Sequence, residues 1–200
     1  MDINEYRQLS AFARYDGIYL AVIWTASFAC LIFTPTYPIA SMPCMLLALS
    51  TPFFVGYRLW KFRREGRDDQ ISFKQALLYC FRLFFNAAMV FAIIQWAYMQ
   101  FLDHGHLSSL LQMAINTPDS MAMMKQAGYD EALINQAIAE INNMTPMTFA
   151  ATYFVNNIII GCILSIPIAA MMKKELSNKK LSNKELSNKE LRSKEMSNKE

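Results

Sequence analysis

Four long apolar stretches alternate with polar segments along the chain. The first, GIYLAVIWTASFACLIFT over 17–34, holds no charge. The second runs from about Ile39 to Trp60, the third from about Cys80 to Leu102, and the fourth from about Thr148 to Met172. Roughly twenty apolar residues cross a bilayer core as a helix, so each stretch is long enough to span. A soluble core would show amphipathic helices or alternating strands instead. The pattern predicts an all-α polytopic membrane protein with four transmembrane helices in a membrane domain over 1–174. Pro43 and Pro52 fall inside the second span, where neighbouring helices can satisfy the freed carbonyls. A kink is expected near Pro52. Arg7 and Arg14 before an apolar run also allow a signal peptide cleaved after Ala29, but the run continues to Phe33, so a retained first helix is expected.

The segment 103–146 has its own periodicity. Leu107, Leu110, Leu111 and Ala114 recur at helical spacing, and Gly128 is placed to stop a helix through MAMMKQAG. Asp130 can cap a further helix whose Leu133, Ile134, Ala137, Ile138 and Ile141 form one stripe. Two or three short helices are expected there, as an extracytoplasmic helical cap packed on its own bundle or as a docking surface. The tail over 175–200 repeats every five residues, around Leu176, Leu181, Leu186, Leu191 and Met196. Five residues advance a helix by about 500°, so these side chains spiral and build no seam. The tail reads as solvated and disordered, near lipid through its lysines.

Charge then sets the orientation. Arg7 and Arg14 precede the first span, Arg58, Lys61, Arg63, Arg64, Arg67 and Lys74 lie around the second loop, and Lys173 and Lys174 follow the fourth span. The loop 103–146 has Lys125 alone against Asp103, Asp119, Asp130, Glu131 and Glu140. Basic loops stay in the cytoplasm, so both termini are expected there, in a bacterial inner membrane. The net charge is +3, and the tail from Leu176 on, with seven basic and four acidic residues, supplies it all. A broad basic surface for nucleic acid is therefore absent from the expectation. The aromatic and basic run YRLWKFRREGRDDQISFK reads as a topology determinant facing anionic headgroups.

Small residues decide helix packing in lipid, because burying leucine gains nothing there. Gly17, Ala21, Thr25 and Ala29 recur every four residues on the first span; Ala40, Cys44, Ala48, Pro52 and Gly56 do so on the second. These two faces are expected to pack as an antiparallel hairpin. Gly161 and Ser165 form a weaker pair on the fourth span.

Polar groups inside the spans are few. Arg82 and Asn86 share a face at the start of the third span, where Arg82 can snorkel to headgroups. Gln95, Asn156 and Asn157 lie deeper, and an amide in hydrocarbon seeks a partner on another helix. The expected partners of the chain are thus the lipid bilayer and a second copy or another membrane protein. Cys30, Cys44, Cys80 and Cys162 show no ligand spacing. Asp103-His104-Gly105-His106 lacks further ligands in sequence, so no metal and no cofactor are expected.

The segment YRLWKFRREGRDDQISFKQALLYC, with Ile71-Ser72-Phe73-Lys74-Gln75-Ala76, together with Phe101-Leu102-Asp103 and GYDEALINQAIAEINNMTP, resembles a family of four-helix membrane proteins from Bacteroidetes. It is domain-of-unknown-function family 4199. The resemblance covers roughly residues 10 to 174. It implies an inner-membrane location, no established activity and no catalytic residues to carry over; the repeat tail departs from it.

No nucleophile–base pair is visible, so an enzyme is not expected. The leading expectation is a structural or interaction subunit. The alternative is a small oligomeric transporter or channel subunit with Asn86, Gln95, Asn156 and Asn157 around a polar path.

Overall fold

The structure, a computed structural model, describes residues 3–174; the repeat tail lies outside the described residues. The described chain is helical: α1 (Ile3–Phe33), α2 (Ser41–Leu49), α3 (Thr51–Gly66), α4 (Phe73–Phe101), α5 (His106–Ile115), α6 (Pro118–Gln126), α7 (Glu131–Asn142) and α8 (Pro146–Met172). A short 3-10 turn, Pro38–Ala40, leads into α2. Four helical segments are long and apolar enough to cross a membrane: α1, α2 with α3, α4, and α8.

The outer surface of the spans is apolar. Only 22% of the most apolar window of α8 is buried, and Ile159, Ile163 and Ile166 point outward. Ile18 and Val22 on α1, Phe53 on α3 and Ile93 on α4 do the same. Inside, small residues such as Ala13, Ala21, Ala76, Ala87 and Gly161 lie between large apolar ones such as Leu20, Phe62, Leu83 and Phe84. An apolar outside, with small residues letting helices approach, suits packing in hydrocarbon.

Local chemistry places the boundaries. Ser72 and Gln75 form a reciprocal capping box that starts α4. Thr117 caps α6, Asp130 caps α7 and Thr145 caps α8, with Pro146 in its first turn. Gly128, at φ +91°, sits just beyond α6 in the left-handed region that a glycine adopts freely. Pro52 cannot donate to Ala48, so the second span breaks at Ser50. Ser50 N–H still reaches Leu46 O, and Phe54 N–H reaches Ser50 O, so the break is a local interruption.

The order of packing differs from the expected hairpin. A Cβ on Gly17 would lie 2.8 Å from Leu83 O and from Asn86 Cβ, so α1 presses its backbone onto α4. Thr25 and Ala29 flank a crevice shared with Ile94, Ala97 and Tyr98 of α4. The Gly17, Ala21, Thr25 and Ala29 row therefore serves α4. The second row is also dispersed: Ala40 is half-buried and Ala48 exposed, while Gly56 approaches Met172 Cε of α8 at 3.7 Å. α2 meets α1 on another side, where Ser27 Oγ donates to Cys44 O at 2.9 Å.

The pair Gly161 and Ser165 is buried against α4. A Cβ on Gly161 would fall 2.7 Å from Phe84 Cβ. α4 is thus the central helix, with α1 on one side and α8 on the other. Of the short helices, α5 touches α1, and α6 and α7 pack on α5. Leu107 of α5 joins Phe28, Phe91 and Phe149 in a second apolar cluster below this cap.

Candidate functional site

The basic end of the bundle is held by ionic contacts. On α1, Leu9, Ala13, Asp16 and Leu20 share the buried face. A carboxylate at that register must point inward, and Asp16 is 2% exposed. Arg58 of α3 meets it, Nε donating to Oδ1 at 2.6 Å. The Tyr79 hydroxyl of α4 donates to Oδ2. Both oxygens are thereby taken and three spans converge on one charge. A buried charge left unpaired would cost several kcal/mol, so the three groups stand or fall together. Arg58 also lies over the Tyr19 ring, 5.3 Å from its centroid.

Further ties lie around it. Arg63 donates through Nη1 to Met172 O at 2.8 Å, closing the carbonyl end of α8. Its Nε donates to Asp69 at 2.9 Å, and Lys174 reaches the other Asp69 oxygen. Ile71 and Lys174 exchange two backbone hydrogen bonds, at 2.9 and 3.0 Å. The Lys174 ammonium, with Arg63 beside it, holds the Asp69 carboxyl below the usual carboxylate range. Arg67 Nη1 bridges to Glu5 at 2.7 Å.

At the cap end the spans part. α3 contacts α1, α4 and α8, whereas α2 has no buried residue and leans on α1. Between α2 and α8 this leaves an open groove of about 450 Å³. Its lining is mostly apolar and aromatic, with Trp24, Phe84, Phe91 and Tyr153 among it. Two of its polar groups bond one another, Trp24 Nε1 to Thr51 Oγ1 at 3.0 Å. Gln95 on its floor has neither: it is fully buried, and its Nε2 and Oε1 make no hydrogen bond. Asn157 Nδ2, on the α8 wall, is buried and unbonded as well.

Residues 15–174 match the family described as "Protein of unknown function (DUF4199)". The chain belongs to that family. No curated protein and no solved structure matches it. The region shared with DUF4199 takes in the ionic cluster, the groove and the cap.

In this DUF4199 chain the five candidate polar residues separate into three places. Gln95 and Asn157 share the groove. Arg82 points to the start of α1, donating to Ser10 Oγ at 2.6 Å and to the Tyr6 hydroxyl. Asn86 donates back to Arg82 O at 2.6 Å. Asn156 is exposed on the outer face of α8. Asn86, Gln95, Asn156 and Asn157 therefore do not surround one path. Asp103 accepts from Leu107 N–H at 2.8 Å and so fastens the start of α5. Among the described residues, no three His, Cys, Asp or Glu side chains gather as ligands.

Asp16, Arg58 and Tyr79 were not singled out by sequence reasoning. A signal did exist. Asp16 falls on the same three-to-four register as Leu9, Ala13 and Leu20, and Arg58 on that of Val55, Leu59 and Phe62. A charge on an apolar face asks for an opposite charge on another one.

Proposed function

We propose that the chain is a non-enzymatic interaction subunit of the bacterial inner membrane, with both termini in the cytoplasm and α5–α7 outside. One observation carries this reading: the exposed Asn156 amide on α8. It lies ten residues past Pro146, about 15 Å along the helix, well inside a hydrocarbon layer about 30 Å thick. Thr152, one turn earlier, is exposed on the same face. Lipid tails cannot bond an amide, whereas a second membrane helix can, for about 0.6–2 kcal/mol per contact. The partner face is a helix of another copy or of a different membrane protein.

Two further features support the reading. The buried carboxylates among the described residues, Asp16 and Asp103, are both held in structural contacts. The basic residues of 58–74 and 173–174 sit at one end of the bundle and the acidic loop at the other, as the rule of cytoplasmic positive charge requires.

Purification from native membranes in mild detergent tests the proposal. The expected result is a companion chain or a self-assembled species that is lost on Asn156→Leu. A solitary, monomeric protein, or an assembly indifferent to Asn156→Leu, refutes it. A reporter fused at Lys125 tests the orientation and is expected to be active only outside the cytoplasm.

A further inference from the structure

We propose that the groove between α2 and α8 binds a neutral, membrane-soluble carbonyl compound of the quinone type, a flat ring carrying oxygens on an apolar tail. The unpartnered amides of Gln95 and Asn157 carry this inference. Gln95 is fully buried, and both ends of its amide lack a bond. A buried polar group without a partner costs about 1–3 kcal/mol, so a site that keeps one retains bonding capacity for something else. Gln95 lines the groove, and whichever way its amide is turned it keeps one donor and one acceptor free. Asn157 Nδ2 adds a second unbonded donor on the α8 wall.

Four properties of the site narrow the occupant. No charged side chain lines the groove, so an ion would enter unpaired. Free amide donors on the floor and on the α8 wall select oxygen acceptors, and two carbonyls on one ring would meet both. Trp24, Phe84, Phe91 and Tyr153 supply aromatic surface suited to a flat ring. Gln95 lies six residues before Phe101 and Asn157 eleven after Pro146, about 9 and 16 Å along their helices, so the route in is through lipid. The groove, about 450 Å³, falls within the roughly 300–1,000 Å³ usual for small-molecule sites. Asn156 is not among the residues that line the groove, and the inference does not rest on the assembly proposed above.

The test uses full-length protein in lipid nanodiscs with Trp60 and Trp96 changed to Phe, which leaves Trp24 as the reporter. Decylubiquinone is the probe. The expected result is saturable quenching of Trp24, with binding weakened about tenfold by Gln95→Leu, as one lost hydrogen bond dictates. The thermal midpoint of Gln95→Leu holds or rises, because an unbonded amide has been removed. Quenching that grows linearly without saturation overturns the proposal, since that is partitioning into lipid. Equal affinity in Gln95→Leu overturns it too, as does a lowered midpoint, which would mean that the amide already has a protein partner. Dioleoylglycerol is the second probe: a saturable change in Trp24 emission with it, and none with decylubiquinone, overturns the ring assignment. If Gln95→Leu fails to fold, Ala48→Phe narrows the exposed rim without touching an amide, and unchanged affinity there overturns the proposal.

Discussion

Arg58 reaches across from α3 to Asp16 on α1, with Nε 2.6 Å from Oδ1. The carboxylate is 2% exposed and the Arg58 side chain 21%. The contact pins two spans at one depth, and the Tyr79 hydroxyl adds the third. Asp16→Ala leaves a largely buried guanidinium without its anion and is expected to destabilise the bundle by on the order of 3 kcal/mol. The double change Asp16→Leu with Arg58→Met removes both charges and should cost less than Asp16→Ala alone. Unfolding in mixed micelles, followed by circular dichroism, measures both. A double variant weaker than the single one would contradict the pairing.

Asp69 gives the basic end a dependence on acid. Its carboxyl is held below the ordinary range, first by the hydrogen bond from Lys174 and further by Arg63. A group whose folded pKa is depressed stabilises above its unfolded pKa and loses that contribution as pH falls through the folded one. Wild type should therefore melt above Asp69→Asn at neutral pH, and the gap should close as the pH drops below the usual carboxylate range. Added salt should narrow the gap at neutral pH, since these groups reach solvent. Melting curves at several pH values, read side by side for the two proteins, decide it.

The close helix approaches make glycine substitutions informative. Gly161→Ala would push into Phe84, and Gly17→Ala into the backbone of α4. Each is expected to cost about 1–3 kcal/mol through forced displacement. Ala48→Leu should stay within about 0.5 kcal/mol, because Ala48 is exposed. Thermal midpoints of the three variants give the order. A destabilised Ala48→Leu beside a neutral Gly17→Ala would restore the α1–α2 hairpin as the principal contact.

The cap is expected to open independently of the bundle. α6 buries no residue and α7 buries only Ile134. Asp130 accepts from Leu133 N–H at 2.8 Å, which caps α7. Asp130→Ala should cost about 1 kcal/mol locally. Amide hydrogen exchange should rise in α7, while α4 and the global midpoint stay unchanged. Faster exchange in α4 would show that cap and spans unfold together.

Much of this architecture was legible because its causes are local. Span length follows from apolar runs, and the caps at Asp130 and Gly128 follow from side-chain and backbone chemistry. Thr145 and Pro146 start α8 in the same local way. Contact partners were less legible. Gly17 and Ala21 mark a narrow face, but nothing in their spacing says whether α2 or α4 fills it. Gln95 and Asn157 stood out as amides; that they share one groove depends on how α4 and α8 are turned about each other. Asp16 escaped notice because the apolar run begins at Gly17, whereas α1 continues back to Ile3 and buries it.

The break at Ser50 has a mechanical consequence. Ionic and backbone ties gather at the Lys174 end, and α2 is joined to its neighbour α1 by the Ser27 hydroxyl. Of the spans, α2 alone is loosely held, like one free arm of a pair of tongs. Swinging α2 outward about residue 50 would change the width of the slot above Gln95 while every ionic tie stayed in place.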